Sequence, residues 1–164
     1  MTLDQIELVQ TSFAKVVPIS DTAASLFYGR LFEVAPEVKP LFKSDMREQG
    51  RKLMTTLGAV VNGLRNLDAI LPVAKALGLK HVTYGVRSEH YKPVGEALIW
   101  TSEHGLGNDF TPATRAARIV AYETLSSVMI ADAYGEVAVQ DCGDDLHDRE
   151  TCHCRQRQDR KSVV

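Results

Sequence analysis

An all-α chain is the fold class that this sequence predicts, on three observations. Apolar residues recur at three- and four-residue spacing through the first 134 residues. Small polar residues and proline stand where helices should begin, at Thr2, Ser20 or Asp21, Ser88 and Thr111-Pro112. No stretch has the strict alternation of a half-buried strand. With 164 residues, 45% of them hydrophobic and 24% charged, the chain suits one soluble domain around a single core.

Each element can be justified in order. Thr2 followed by Gln5 has the form of a capping box, and Ile6, Val9, Phe13, Val16 and Val17 follow on one helical face. Ser20 or Asp21 caps a second helix with Ala24, Phe27, Tyr28, Leu31 and Val34 inward, and Pro36 stops it because proline cannot donate to the preceding turn. Glu37 to Phe42 has room only for a short turn of helix. A longer helix follows from about Met46 to Leu64, its stripe made by Leu53, Leu57, Val60, Val61 and Leu64. Asn66 and Pro72 punctuate the next stretch, and Val73, Ala76 and Leu77 lead to His81, four residues beyond Leu77 on the same face. Ser88 caps a helix carrying Val94, Ala97, Leu98 and Trp100, which Gly105 and Gly107 end. Thr111-Pro112 opens the last helix, with Ile119, Val120, Leu125, Val128 and Met129.

After Tyr134 the composition changes. Gln140 to Arg160 is polar and charged with Leu146 nearly alone among apolar residues, too little to offset the entropy of ordering. The domain expectation is therefore a folded unit at 1–134 and a disordered tail at 135–164. All three cysteines, Cys142, Cys152 and Cys154, fall in that tail; an odd number there argues against a disulfide framework. With His147 and His153 they offer sulfur and imidazole ligands, but their spacing matches no standard closed zinc site.

Other classes are disfavoured. A net charge of -2 leaves no basic footprint for nucleic acid or an anionic membrane. No apolar run approaches the ~20 residues that span a bilayer, and Met1-Thr2-Leu3-Asp4-Gln5 lacks the basic and apolar stretches of a signal peptide. The expected compartment is the cytoplasm.

The most informative segment runs from Lys80 to Glu96: a histidine at a helix end, a corner containing Gly85, and Tyr91 ten residues after His81. Upstream stand Leu26-Phe27-Tyr28-Gly29-Arg30-Leu31-Phe32, then Leu41-Phe42, then Gln49-Gly50-Arg51-Lys52-Leu53-Met54. In that order and at those distances the chain resembles a bacterial single-domain haemoglobin and is similar to the globin part of flavohaemoglobins. The resemblance covers residues 1 to about 134 and implies the globin fold, a three-over-three helical sandwich around haem b, as a monomer or weak homodimer.

The resemblance also assigns roles. His81 falls where these globins place the iron's axial ligand; by itself a histidine at a helix end is more often solvated or caps carbonyls. The other histidines are His90 and His104 on the following helix and His147 and His153 in the tail. Tyr28 matches the distal tyrosine whose hydroxyl points at bound dioxygen, although a tyrosine on an apolar face can equally be ordinary core. Gln49 matches the distal glutamine on the facing helix, with a surface glutamine as the alternative. Leu53, one turn on, would wall the distal pocket, Phe42 would pack on the ring, and Val86 would touch its edge. Lys52 carries the right charge for a haem propionate, while an exposed lysine is commonly just solvated. Tyr91 matches the tyrosine that flavohaemoglobins link to the proximal histidine and to a glutamate on the last helix. Here the chain departs from the pattern, with Gly135 at that place and Glu136 one residue late.

Three functions follow as expectations. One is a haem protein that binds dioxygen tightly and oxidises nitric oxide to nitrate, with Tyr28 and Gln49 as the catalytic pair. A second is a carrier, scavenger or sensor of dioxygen using the same pocket, which would also take carbon monoxide. A third is a haem-free helical module that binds a partner protein. The chain carries no glycine-rich dinucleotide fingerprint, so the first reading calls for an external reductase.

Overall fold

Thr2 opens the chain as its spacing predicts. In the computed structural model, which describes residues 1–135, its hydroxyl accepts the Gln5 amide while the Gln5 side chain accepts the Thr2 amide, starting α1 (Leu3–Val16). Then come α2 (Ser20–Val34), α3 (Met46–Gly63), α4 (Leu67–Thr83), α5 (Tyr91–Leu106) and α6 (Pro112–Tyr134). Short 3-10 turns fill four of the connections, and no strand occurs among the described residues. The tail cysteines and histidines, and Glu136, lie outside the described residues.

The helices form two layers of three, with α1, α3 and α4 over α2, α5 and α6. α2 lies along α5 and crosses α3, while α6 carries α1 on one side and α4 on the other. The α2–α5 core gathers Phe27, Tyr28, Leu31, Val38 and Ala97. A second cluster joins Ile6, Val9, Leu64, Ala117 and Ala121, and a third joins Ala74, Tyr91 and Met129. Direct packing between α3 and α4 is sparse. Each of those helices buries one face on a different neighbour, which leaves a groove between them.

Three local expectations are corrected. Ser20 is not a cap: Pro18 leads through a 3-10 turn at Val17–Ile19, so the chain is already helical when α2 begins. Pro72 does not interrupt its segment but lies inside α4, whose cap is the Asn66 side chain accepting the Ala69 amide. The carbonyl that Pro72 leaves without a donor belongs to Asp68, which is exposed and can meet water. Ser88 begins a 3-10 turn ahead of α5, and the imidazole of buried His90 does the capping there by accepting the Arg87 amide at Nδ1, 3.1 Å away. Gly107, at φ 52°, ends α5, whereas Gly105 stays helical.

The tightest helix approach is at Gly78. A Cβ there would lie 2.9 Å from the Met129 carbonyl oxygen and 3.2 Å from its Cα, so α4 and α6 meet main chain to main chain. Gly78→Ala sets two effects against each other. Helix propensity favours alanine by ~1 kcal/mol, but forcing two backbones apart costs about 1–3 kcal/mol. We expect the clash to win, lowering the urea midpoint; a midpoint unchanged or raised would show that α4 slides at no cost.

Candidate functional site

The corner after α4 is built by hydrogen bonds that point inward. The Tyr84 amide donates to the Lys80 and His81 carbonyls, Gly85 at φ 85° turns the chain, and the Val86 amide returns to the His81 carbonyl at 3.0 Å. Only glycine adopts that backbone without strain. The corner fixes the last turn of α4 and hence the half-buried His81. Its Nδ1 lies 3.1 Å from the Tyr91 hydroxyl, and its Nε2 has no hydrogen-bond partner among the described residues.

Tyr91 is itself held firmly. The Tyr122 hydroxyl donates to the Tyr91 carbonyl at 2.6 Å, and the Tyr134 hydroxyl donates to the Val86 carbonyl at 2.6 Å. The Tyr91 and Tyr134 rings stand edge to face, 6.3 Å apart. Burial first, and the neighbouring Tyr134 second, push the Tyr91 pKa well above the ordinary phenol range. Burial lowers the pKa of His81, so its imidazole is neutral at pH 7. With Nδ1–H donated to the Tyr91 oxygen, the Nε2 lone pair is left for a ligand; that tautomer is an assignment from the hydrogen-bond pattern. Among the described residues a phenol, not a carboxylate, is thus the second neighbour of His81.

On α2, Tyr28 sits in an aromatic nest. Its ring centroid is 5.0 Å from Phe27, 5.3 Å from Phe42 and 5.9 Å from Phe32. Burial pushes its pKa up to about 12, so the hydroxyl is a donor at neutral pH. It donates to the main-chain carbonyl of Gln49 at 3.3 Å, long for an O–H donor. That contact exists because Gly50 brings α3 against α2: a Cβ on Gly50 would lie 2.9 Å from the Ala24 Cβ. Tyr28 and Gln49 therefore meet, through the Gln49 backbone. The Gln49 side chain is half-buried and makes no hydrogen bond among the described residues. Phe42 and Leu53 pack on the Tyr28 cluster, and Val86 packs on the Tyr91 cluster.

Between α3 and α4 a cavity of about 440 Å³ is lined by Thr56, Pro72, Val73, Ala76, Leu77 and Lys80. His81 follows Lys80 directly and lies one turn beyond Leu77. The wall is mostly apolar, as a flat hydrophobic ring requires; His81 is not part of that wall but follows it on the same helix, with one imidazole nitrogen uncommitted for a coordinating centre. Lys52 is fully exposed and pairs with Glu48 at 2.8 Å. That hydrogen bond is the main cause of its raised pKa, and a smaller contribution comes from Tyr84, just past the end of α4. His104 is an exposed residue stacked on Trp100 at 3.8 Å, with Nδ1 2.9 Å from the Trp100 carbonyl. Among the described residues no cluster of three or more His, Cys, Asp or Glu side chains could hold a metal ion. No described helix is long and apolar enough to cross a membrane.

Sequence reasoning missed two features. Tyr134 closes the corner over Val86, and no sequence signal singles it out beyond its place at the end of α6. Arg118 is half-buried although charged. Its signal was available: it shares a helical stripe with Ala121, Tyr122 and Leu125.

The chain is similar to known proteins over nearly all the described residues. It is 28% identical over 128 residues to a flavohemoprotein of Bacillus subtilis, covering 76% of this chain and 32% of that protein. A flavohemoprotein of Rhodopirellula baltica is 29% identical over 128 residues, with 76% and 31% covered. The chain thus spans about a third of the length of these curated relatives. Among solved structures it resembles an engineered carbene transferase made from a Rhodothermus marinus protein described as a nitric oxide dioxygenase. That match has a TM-score of 0.73 at 26% identity and covers 82% of this chain and 94% of that one. The Globin family model matches residues 25–129, from within α2 to the last turns of α6, and with the two-layer arrangement of those helices it establishes that this chain belongs to the globin family.

Proposed function

We propose that this globin binds one non-covalent haem b in the groove between α3 and α4, with His81 as the axial ligand, and that it holds dioxygen for reaction with nitric oxide. The observation that carries the reading is the pairing of His81 Nδ1 with Tyr91 at 3.1 Å, which leaves Nε2 uncommitted at the end of the helix that walls an apolar groove. When bound, the haem would supply a redox-active iron that takes up diatomic gases. The residues supply the rest. Tyr91 holds the His81 ring in one tautomer and orientation. Tyr28, a neutral donor in an apolar nest, offers its proton to the polar gas, and Gln49 provides a second donor if its free side chain turns inward. Leu53 and Phe42 keep the pocket dry, which strengthens those hydrogen bonds. Val86 and Lys52 would meet the ring's edge and a propionate. Residues 1–134 would carry all of this.

Nitric oxide and dioxygen combine to nitrate with uptake of one electron, so a reductant must return that electron after each turnover. Among the described residues His81 has a phenol and no carboxylate beside it, which leaves the imidazole less basic, and weak peroxidase activity is expected. The experiment is nitric oxide consumption by the oxygenated 164-residue chain, with and without an added reductase and nicotinamide. We expect one fast turnover alone and sustained consumption with the reductase. A slow first turnover would leave an oxygen carrier or sensor as the better reading.

A further inference from the structure

Arg118 is a part-buried cation that forms no ion pair with a described carboxylate. Its Nε donates to the Ser12 hydroxyl at 3.0 Å and its Nη1 to the Ser102 hydroxyl at 2.6 Å. Both hydroxyl protons are already used: Ser12 donates to the Val9 carbonyl at 3.1 Å and Ser102 to the Leu98 carbonyl at 2.8 Å. The two serines can therefore only accept, and they clamp the guanidinium in one orientation. Its Nη2 is buried and finds no partner, and no described carboxylate forms an ion pair with Arg118.

The second unpartnered group lines the same space. Thr101 is 7% exposed, and its hydroxyl also has no hydrogen-bond partner. Thr101, Ser102 and Arg118 all border a cavity of about 120 Å³, whose other walls include Phe13, Leu57 and Leu125. A single water needs only about 10–15 Å³ on that scale, so several atoms fit. Burial brings the Arg118 pKa down to about 10, which still leaves it charged at neutral pH. A charge in an apolar wall is costly unless it is paired.

We propose that Arg118 and Thr101 form a buried site for one small inorganic monoanion, of the nitrate, nitrite or halide class. The Nη2 hydrogens and the Thr101 hydroxyl are the donors, and the ligand must be an acceptor. One negative charge neutralises the guanidinium; a divalent anion such as sulfate would leave a net charge in the same apolar wall. Water could satisfy the donors but not the charge. The donors stand on α5 and α6, and the cavity they border reaches α3 at Leu53 and α2 at Phe27, beside the proposed haem pocket.

The test uses the full-length protein as purified. Crystals soaked in sodium bromide should give an anomalous peak within hydrogen-bond distance of Arg118 Nη2. In solution, nitrate should raise the thermal midpoint saturably at constant ionic strength, with sulfate as the balancing salt. Arg118→Met should abolish that response. Thr101→Val keeps shape and charge while removing one donor, and should weaken nitrate binding by about tenfold. Ordered water with no bromide at Arg118, a peak at crystal concentration without a saturable response in solution, or an undiminished response in Thr101→Val would each overturn the proposal.

Discussion

Replacing His81 with alanine is expected to abolish stoichiometric haem binding. On the proposed reading the imidazole supplies the one coordinate bond from the chain, and the rest of the groove offers only apolar contact. Neither of the other described histidines is free to take its place. His90 is buried, and its Nδ1 accepts the Arg87 amide at the start of α5. His104 is exposed near the far end of α5, engaged with Trp100. The fold should tolerate the change, because His81 is only half-buried and Tyr91 keeps its main-chain bond from Tyr122. Haem titration followed by the visible spectrum gives the answer, and added imidazole should partly restore the bound spectrum by entering the space left behind. Wild-type haem content with an unchanged ferrous spectrum would remove His81 from the site altogether.

The second large effect is expected at Tyr28. Tyr28→Phe removes a donor held in a dry aromatic nest. A hydrogen bond to a partly charged ligand contributes ~1.5–3 kcal/mol, so oxygen dissociation should speed up roughly ten- to hundredfold if all of it appears in the off-rate. Carbon monoxide, less polar when held, should change less. Stability should barely move. The bond lost in the ligand-free protein is the 3.3 Å contact to the Gln49 carbonyl, and that carbonyl already serves its own helix. Stopped-flow dissociation measured on both proteins decides the matter. Equal off-rates would mean that the hydroxyl stays on Gln49 and never turns to the ligand.

The distal pair illustrates how sequence and structure divide the information. Gln49 was set opposite Tyr28 by the resemblance alone, with its register taken through Asn66-Leu67, Pro72 and the Arg51-Lys52-Leu53-Met54 run, because the loop after Phe42 is too short to count across. The sequence could not say that its carbonyl, rather than its amide side chain, would take the Tyr28 proton. That choice depends on the separation of α2 and α3, which Gly50 and Ala24 fix by contact. On the other side of the groove, the pairing of His81 with Tyr91 was anticipated from the resemblance. The tightness of the corner was not, since it needs Tyr134 from the far end of α6 to reach Val86.

The sequence by itself determined the helices, since periodicity and caps such as Thr2 and Thr111 act within a few residues. It also placed His81 ahead of a glycine corner, another short-range property. Tertiary structure decided what no local pattern encodes. Pro72 stays inside a helix where the residue that loses a donor, Asp68, is exposed, and Ser88 yields its capping role to a histidine that the corner buries. Arg118 shows the division most clearly. On the sequence it is one charge in an amphipathic helix, yet the meeting of α1, α5 and α6 takes its Nη2 out of water. Burial is a property of distant segments brought together, and it changes a solvated cation into one that needs a partner.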